Sequence, residues 1–414
     1  MIEIEQRPEK VLIFGVQTEN YSDEKFQVLM KEMKSLTETA GGIPTVEMTQ
    51  KLPRLNSRSA VGSGKLSEIK DAVNKEEIDL VISMNALTPS TNRYIEDQLG
   101  VRVIDRIQLI LDIFAMRAKS REGKLQVELA QYDYLLPRLQ GRRDYLSRLG
   151  GGIGTRGPGE TKLETDRRHI RTMMSQIKKE LAKLSDHREL TRSRRRSGSE
   201  FNIGLVGYTN AGKSTILREL TESDTYVEDQ LFATLDPLTR KLTINGHDGF
   251  TLTDTVGFIE ELPTTLIQAF KSTLEEMRYV DLLLHVVDAS SADRMMHEQT
   301  VYNLIKELEM DHLPILTVYN KKDKIEGNFE PTLFPYVTIS ALEKDGVEAL
   351  KQKIWTEIVR TSEKFEVEVD PQEADLLALY RQKTLIESLE FDEENQVYIL
   401  KGFRRSDKEL DKER

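Results

Sequence analysis

Residues Gly207-Tyr208-Thr209-Asn210-Ala211-Gly212-Lys213-Ser214 spell a complete phosphate-binding loop, and that pattern narrows the folds open to this chain. An apolar run at 203–206 precedes it and reads as a strand. The stretch 215–220, beginning at Thr215, can open a helix. A glycine-bearing turn between a buried strand and a helix N-terminus belongs to an α/β fold built on a mostly parallel sheet with helices on both faces. The two glycines let backbone amides point inward around a β-phosphate. Lys213 adds a fixed positive charge, and the Ser214 hydroxyl is a Mg²⁺ ligand.

Three further signals follow in the order a guanine-nucleotide switch requires. Asp254-Thr255-Val256-Gly257 comes after a strand at 250–253. Asp254 is expected to hold Mg²⁺ through water, and the Gly257 amide to bind a γ-phosphate. Asn320-Lys321-Lys322-Asp323 comes after an apolar strand at 314–318. The Asp323 carboxylate can accept both N–H groups of a guanine edge, which adenine does not offer, while Asn320 braces the loop and the stem of Lys321 covers the ring. The backbone of Ser340-Ala341-Leu342, after a strand at 336–339, can reach the guanine carbonyl. Between the first two motifs, Phe232-Ala233-Thr234 supplies a switch threonine. Thr234 is the expected Mg²⁺ and γ-phosphate contact, with Thr239 as the substitute. Lys213, Thr234 and Gly257 are therefore the expected catalytic groups. Phe258 stands where many GTPases carry a water-orienting glutamine, so slow intrinsic hydrolysis is expected. Asn210 is a candidate K⁺ ligand beside the phosphates, or equally a loop-stabilising hydrogen bonder.

Upstream, strand and helix signals alternate over residues 1–115: strands at 11–16, 79–83 and 101–104, helices at 24–40 and 91–99. This predicts a small α/β domain. Gly62-Ser63-Gly64-Lys65 lacks the first glycine and spacer of a phosphate loop and reads as a turn capping a helix, with an anion contact as the less favoured alternative. Residues 116–190 read as an antiparallel helical hairpin. Its first helix has Leu125, Leu129, Tyr132, Leu136 and Leu139 on one side, and Pro137 should kink or interrupt it. Its second carries a seam through Leu163, Ile170, Met174, Ile177, Leu181 and Leu184. The tip, 150–160, holds six glycines in its first ten positions. A basic linker is expected at 191–200, the nucleotide-binding domain at 201–362, and a strand–helix–strand unit at 363–414 with its helix over 373–389.

Charge is segregated. The whole chain carries −11, yet residues 117–200 hold 21 Lys and Arg against 11 Asp and Glu, a local balance of +10. A basic segment on an acidic body is the footprint of a directed anionic contact. Arg142, Arg143, Arg148, Gly154, Arg156, Gly157, Gly159 and Lys162, with bare backbone among cations, suit RNA phosphates. The absence of cysteine excludes disulfides and thiolate metal sites, and the six histidines show no metal-ligand spacing. No apolar run is long enough to span a membrane, and the acidic N-terminus lacks the pattern of an export signal, so a cytoplasmic location is expected.

Together the phosphate loop, Phe232-Ala-Thr-Leu-Asp-Pro237, Asp254-Thr-Val-Gly-Phe258 and Gly157-Pro-Gly-Glu-Thr-Lys-Leu-Glu164 resemble the HflX family of translational GTPases over nearly the full length. The resemblance implies a GTP-hydrolysing, Mg²⁺-dependent factor that binds the large ribosomal subunit and its rRNA. It further implies separation of stalled or idle ribosomes into subunits under stress; a monomer is expected. A GTPase of large-subunit assembly, or an RNA-binding protein regulated by guanine nucleotide, remain alternatives.

Overall fold

The computed structural model describes residues 7–139, 158–197, 201–221, 231–232, 237–255, 257–261 and 275–405. The chain divides into two compact units. The first comprises Met1–Lys183 together with Gln230–Phe232 and Glu260–Phe270, and the second comprises the rest.

In the first unit, β1 (Lys10–Gln17) is buried along almost its whole length, as a central strand of a parallel sheet must be. It pairs in parallel with β2 (Ile43–Lys51) and β3 (Leu80–Ser83), and β3 with β4 (Arg102–Asp105), giving the order β2-β1-β3-β4. The edge strand β2 alternates exposed and half-buried positions and carries Pro44, which an edge tolerates. Its weak apolar signal explains why the expected strands did not include it. Helices α1 (Asp23–Thr39), α2 (Ser63–Glu76), α3 (Pro89–Leu99) and α4 (Arg106–Arg117) alternate with these strands. Gly62 is the N-cap of α2, as the sequence suggests; its amide is taken by Gln50, and Lys65 pairs with Glu68 at 2.5 Å.

Two buried charged groups organise this unit. Asp105, fully buried, caps α4 by accepting from the Gln108 amide, and also accepts from the Leu87 amide, the Tyr134 hydroxyl and Arg138. Burial, and then Asp105 itself, push the Tyr134 hydroxyl well above its ordinary range. Arg106, with only 7% of its side chain exposed, pairs with the equally buried Glu32 at 2.6 Å. It also donates to the carbonyls of Glu260 and Glu261.

Helix α5 (Arg121–Arg138) ends as the proline suggests: Pro137 lies in its last turn, where it interrupts the helix and does not bend it. Leu125, Leu129, Tyr132, Leu136 and Leu139 are all half-buried, while the fully buried positions are Gly123, Gln126, Val127, Ala130 and Tyr134. The next helix, α6 (Pro158–Ser197), starts on proline, whose fixed φ suits a first helical position. It buries Met174 and Ile177 from the expected seam. It also continues through Arg192 and Arg196, so the stretch expected as a linker is helical up to Ser197.

The second unit holds a six-stranded sheet of order β10-β9-β8-β5-β7-β6. Its members are β5 (Phe201–Gly207), β6 (Leu238–Ile244), β7 (His247–Asp254), β8 (Leu282–Asp288), β9 (Ile315–Asn320) and β10 (Tyr336–Thr338), all parallel except β6. Asn245 and Gly246, both at positive φ, make the β6–β7 turn, as an Asn-Gly pair favours. Helices α7 (Lys213–Thr221), α8 (Arg294–Glu307) and α9 (Lys344–Thr361) flank it. A three-stranded antiparallel sheet, β11 (Ser362–Val369), β13 (Val397–Arg405) and β12 (Leu385–Asp392), closes the chain. Here the expected helix over 373–389 is corrected: α10 spans only Ala374–Lys383. Leu385 onward is a strand, because pairing with β13 outweighs the weak helical pattern.

Replacing Asp105 by Ala strips a cap and leaves Arg138 and the Leu87 amide without their acceptor. We expect a loss of about 3 kcal/mol or more from the first unit. It should appear as a lowered first transition in calorimetric unfolding of the full chain.

Candidate guanine-nucleotide site

The carboxyl ends of β5, β7, β8 and β9 lie side by side, and the expected nucleotide residues are on the loops that leave them. This is where open α/β sheets place ligands. Lys213 opens α7 and is buried, its ammonium donating to the carbonyls of Gly207 and Tyr208 at 3.0 and 2.9 Å. Burial lowers its pKa to about 8, with Asp254 opposing the shift. Ser214 donates to the Asp254 carboxylate at 2.7 Å. A hydroxyl and a buried carboxylate side by side are two hard oxygen donors, a set that fits Mg²⁺. Thr255 is buried and anchors its segment to the Leu205 carbonyl.

Gly257 and Phe258 lie directly against the phosphate loop. The Phe258 amide donates to the Gly207 carbonyl at 3.1 Å, and its carbonyl accepts from the Thr209 amide at 2.7 Å. A Cβ on Gly257 would come within 2.8 Å of the Thr209 side chain, so no larger residue fits. The Phe258 ring is buried. The Thr209 hydroxyl is also buried, without a hydrogen-bond partner.

Base-side residues are tied to the same loop. Asn320 is buried; its amide donates to the Ala211 carbonyl and its oxygen accepts from the Ala341 amide, both at 3.0 Å. Gly212 sits at φ +99°, and a Cβ there would fall 2.2 Å from the Asn320 amide nitrogen. Lys321 donates to the Asn210 carbonyl at 2.8 Å, and both residues hold positive φ. The Lys322 amide donates to the Ile339 carbonyl. Asp323 is exposed in a short 3₁₀ turn, Lys322–Lys324. Ser340 is buried and Leu342 exposed.

The sequence did not single out two residues of β8. His285 is buried beside Lys213; burial, then that ammonium, lower its pKa to about 4, so it is neutral. Asp288 pairs with Lys321 at 2.8 Å. Both are polar interruptions of an otherwise apolar strand, Leu282 to Asp288, which is the signal that marks them.

Family comparison follows the same division. Residues 27–115 match the model for a GTP-binding GTPase N-terminal region, 117–195 a GTP-binding GTPase middle region, and 202–321 a 50S ribosome-binding GTPase. The chain is 48% identical to the GTPase HflX of Alkalihalophilus pseudofirmus over 97% of its own length and 95% of that protein's. It is 49% identical to the HflX of Caldanaerobacter subterraneus over 81% of this chain and 78% of that one. Against the Escherichia coli HflX the identity is 39%, over 92% and 90%. The chain belongs to the HflX family of GTPases.

As a member of that family it hydrolyses GTP. Phe232 is buried, its ring edge-on to Phe114 at 4.5 Å. Thr239 shares a hydrogen bond with Thr253 inside the β6–β7 hairpin. Ala233, Thr234 and Val256 lie outside the described residues, as do Arg142, Arg143, Arg148, Gly154, Arg156 and Gly157. Gly159 and Lys162 fall in the first turns of α6. Among the described residues no helix is long and apolar enough to cross a membrane.

The lowered lysine pKa has a signed consequence. Above about pH 8 the nucleotide-free site loses the Lys213 charge, whereas bound phosphates would hold the proton. GDP affinity should therefore fall by up to about tenfold per pH unit above that point. Unliganded stability should rise from pH 8 toward the ordinary lysine value, because the unfolded lysine binds its proton more tightly. Titration calorimetry and melting curves across pH 7–10 check both.

Proposed function

We propose that this GTPase binds the large ribosomal subunit and separates stalled or idle ribosomes into subunits under stress, acting in the cytoplasm as a monomer. The observation that carries this reading is the match of residues 202–321 to a 50S ribosome-binding GTPase. The +10 balance of residues 117–200 supports it, because rRNA offers the phosphate density such a segment needs.

In this reading Asp323 selects guanine, and the amides around Gly212 and Lys213 hold the phosphates. Ser214 and Asp254 would hold Mg²⁺, which neutralises charge building on the phosphate oxygens. Thr234 and the Gly257 amide then meet the γ-phosphate. Since Phe258 is hydrogen-bonded to the phosphate loop, contact of the adjacent Gly257 amide with a γ-phosphate would shift the segment that follows them. GTP thus orders both switches and favours the ribosome-bound form, and hydrolysis releases it. Phe258 cannot orient the attacking water, so the ribosome completes the site. Asn210, at positive φ with its carbonyl accepting from Lys321, would ligate K⁺ beside the phosphates.

GTP hydrolysis with and without purified large subunits tests the proposal. We expect strong stimulation, lost in a variant carrying R142E, R143E, R148E and R156E. An unchanged rate on adding subunits would refute ribosome activation, and stimulation by immature particles alone would favour an assembly role. Replacing K⁺ by Na⁺ should slow turnover several-fold in the wild type and have no effect in Asn210→Ala. Equal wild-type rates in the two salts would remove the K⁺ site.

A further inference from the structure

Asn210 and Lys321 are both non-glycine residues in left-handed backbone, and they touch: the Lys321 ammonium donates to the Asn210 carbonyl at 2.8 Å. Asparagine takes this conformation more readily than most residues, whereas for lysine it is uncommon, so contacts around Lys321 matter most. These contacts are at the end of β8. Asp288 lies opposite Asn320 in the β8–β9 ladder, and the Ala289 amide donates to the Asn320 carbonyl at 2.9 Å. One oxygen of the Asp288 carboxylate accepts from the amide and hydroxyl of Ser290, at 3.0 and 2.7 Å; the other pairs with Lys321 at 2.8 Å.

We infer that Asp288 is a positioning residue for nucleotide binding, fixing Lys321 so that its stem covers the base while its ammonium holds the phosphate loop. The inference rests on the reading of Asn320 to Asp323 as the base-selecting loop. Asp288 never meets the nucleotide; it acts through Lys321. The carboxylate is aimed before any ligand arrives, since Ser290 fixes one oxygen and leaves the other to the ammonium. Burial alone would raise its pKa, but the bonds from Lys321 and Ser290 hold it below the ordinary aspartate value. The ion pair is therefore intact throughout the neutral range. With about a fifth of each side chain exposed, it is shielded enough to be directional without being sealed from solvent. Loss of the pair would release the lysine stem from over the ring and remove the clamp on Asn210 in one step.

The test uses the full chain, with fluorescent GDP and IDP as probes and dissociation followed by stopped flow. Asp288→Asn keeps the size and the Ser290 contacts but removes the charge. It should weaken GDP about ten- to a hundred-fold, mainly through faster release, which is the scale of one charge-assisted hydrogen bond with its preorganisation. IDP, which lacks the exocyclic amine read by Asp323, should weaken by the same factor, leaving the GDP-to-IDP ratio unchanged. Asp288→Glu should recover part of the loss. In the background of Lys321→Met the Asp288→Asn change should have no further effect, because the partner through which it acts is gone. GDP affinity within twofold of wild type in Asp288→Asn would overturn the inference, as would full additivity with Lys321→Met. A wild-type chain that did not prefer GDP over ADP would instead overturn the base-loop reading beneath it.

Discussion

The nucleotide-binding unit depends on one buried side chain. Asn320 spans the phosphate loop and the loop after β10, donating to the Ala211 carbonyl and accepting from the Ala341 amide. A buried amide is tolerable only when both its ends are satisfied, and satisfying both here sets the distance between two loops that share no sequence proximity. Gly212 follows from the same contact, because only a residue without a Cβ leaves room for the Asn320 nitrogen. The motifs around residues 207–214, 320–323 and 340–342 are therefore one device, and each is intelligible only with the others present.

Around that device the sheet supplies alignment. Strands β5, β8 and β9 are almost wholly buried, so their register is set by apolar packing, and the register brings Gly207, Asp288 and Asn320 to the same rim. Charges near the rim are spent on different tasks. Lys213 is buried and its pKa lowered, while Asp288 and Lys321 pair with each other. His285 stays neutral beneath the lysine, so it adds no second positive charge to a site that already has one. In the first unit the buried Arg106–Glu32 pair and the Asp105 cluster play an organising part of a similar kind, with each polar atom costly to bury alone and stable in company.

Motifs were legible because they are local. The phosphate loop, Asp254 to Gly257 and Asn320 to Asp323 each need a few consecutive residues after a buried strand, and a run of consecutive residues can be read directly. The central strands were legible for the same reason, being continuous apolar runs. The edge strand β2 was not, since half of its positions face solvent and it carries a proline. Strand β12 read as helix because its residues suit either state, and only the ladder with β13 decides between them. The stretch 191–197 read as a linker by composition, yet it extends a helix begun at Pro158.

What the amino-acid order determined by itself is the placing of its motifs: a phosphate-binding loop, Asp254 to Gly257 and Asn320 to Asp323 each after a strand, and a basic segment on an acidic chain. Each follows from residue type and short spacing. The tertiary structure alone decided which groups support those motifs. Asp288 and His285 are two polar residues in an apolar strand, and nothing local distinguishes a partner of Lys321 from a neutral neighbour of Lys213. Those roles arise from contacts across more than thirty residues of chain, between Asp288 and Lys321, and across seventy between His285 and Lys213. Distance in sequence carries no such information; the packing of parallel strands creates it.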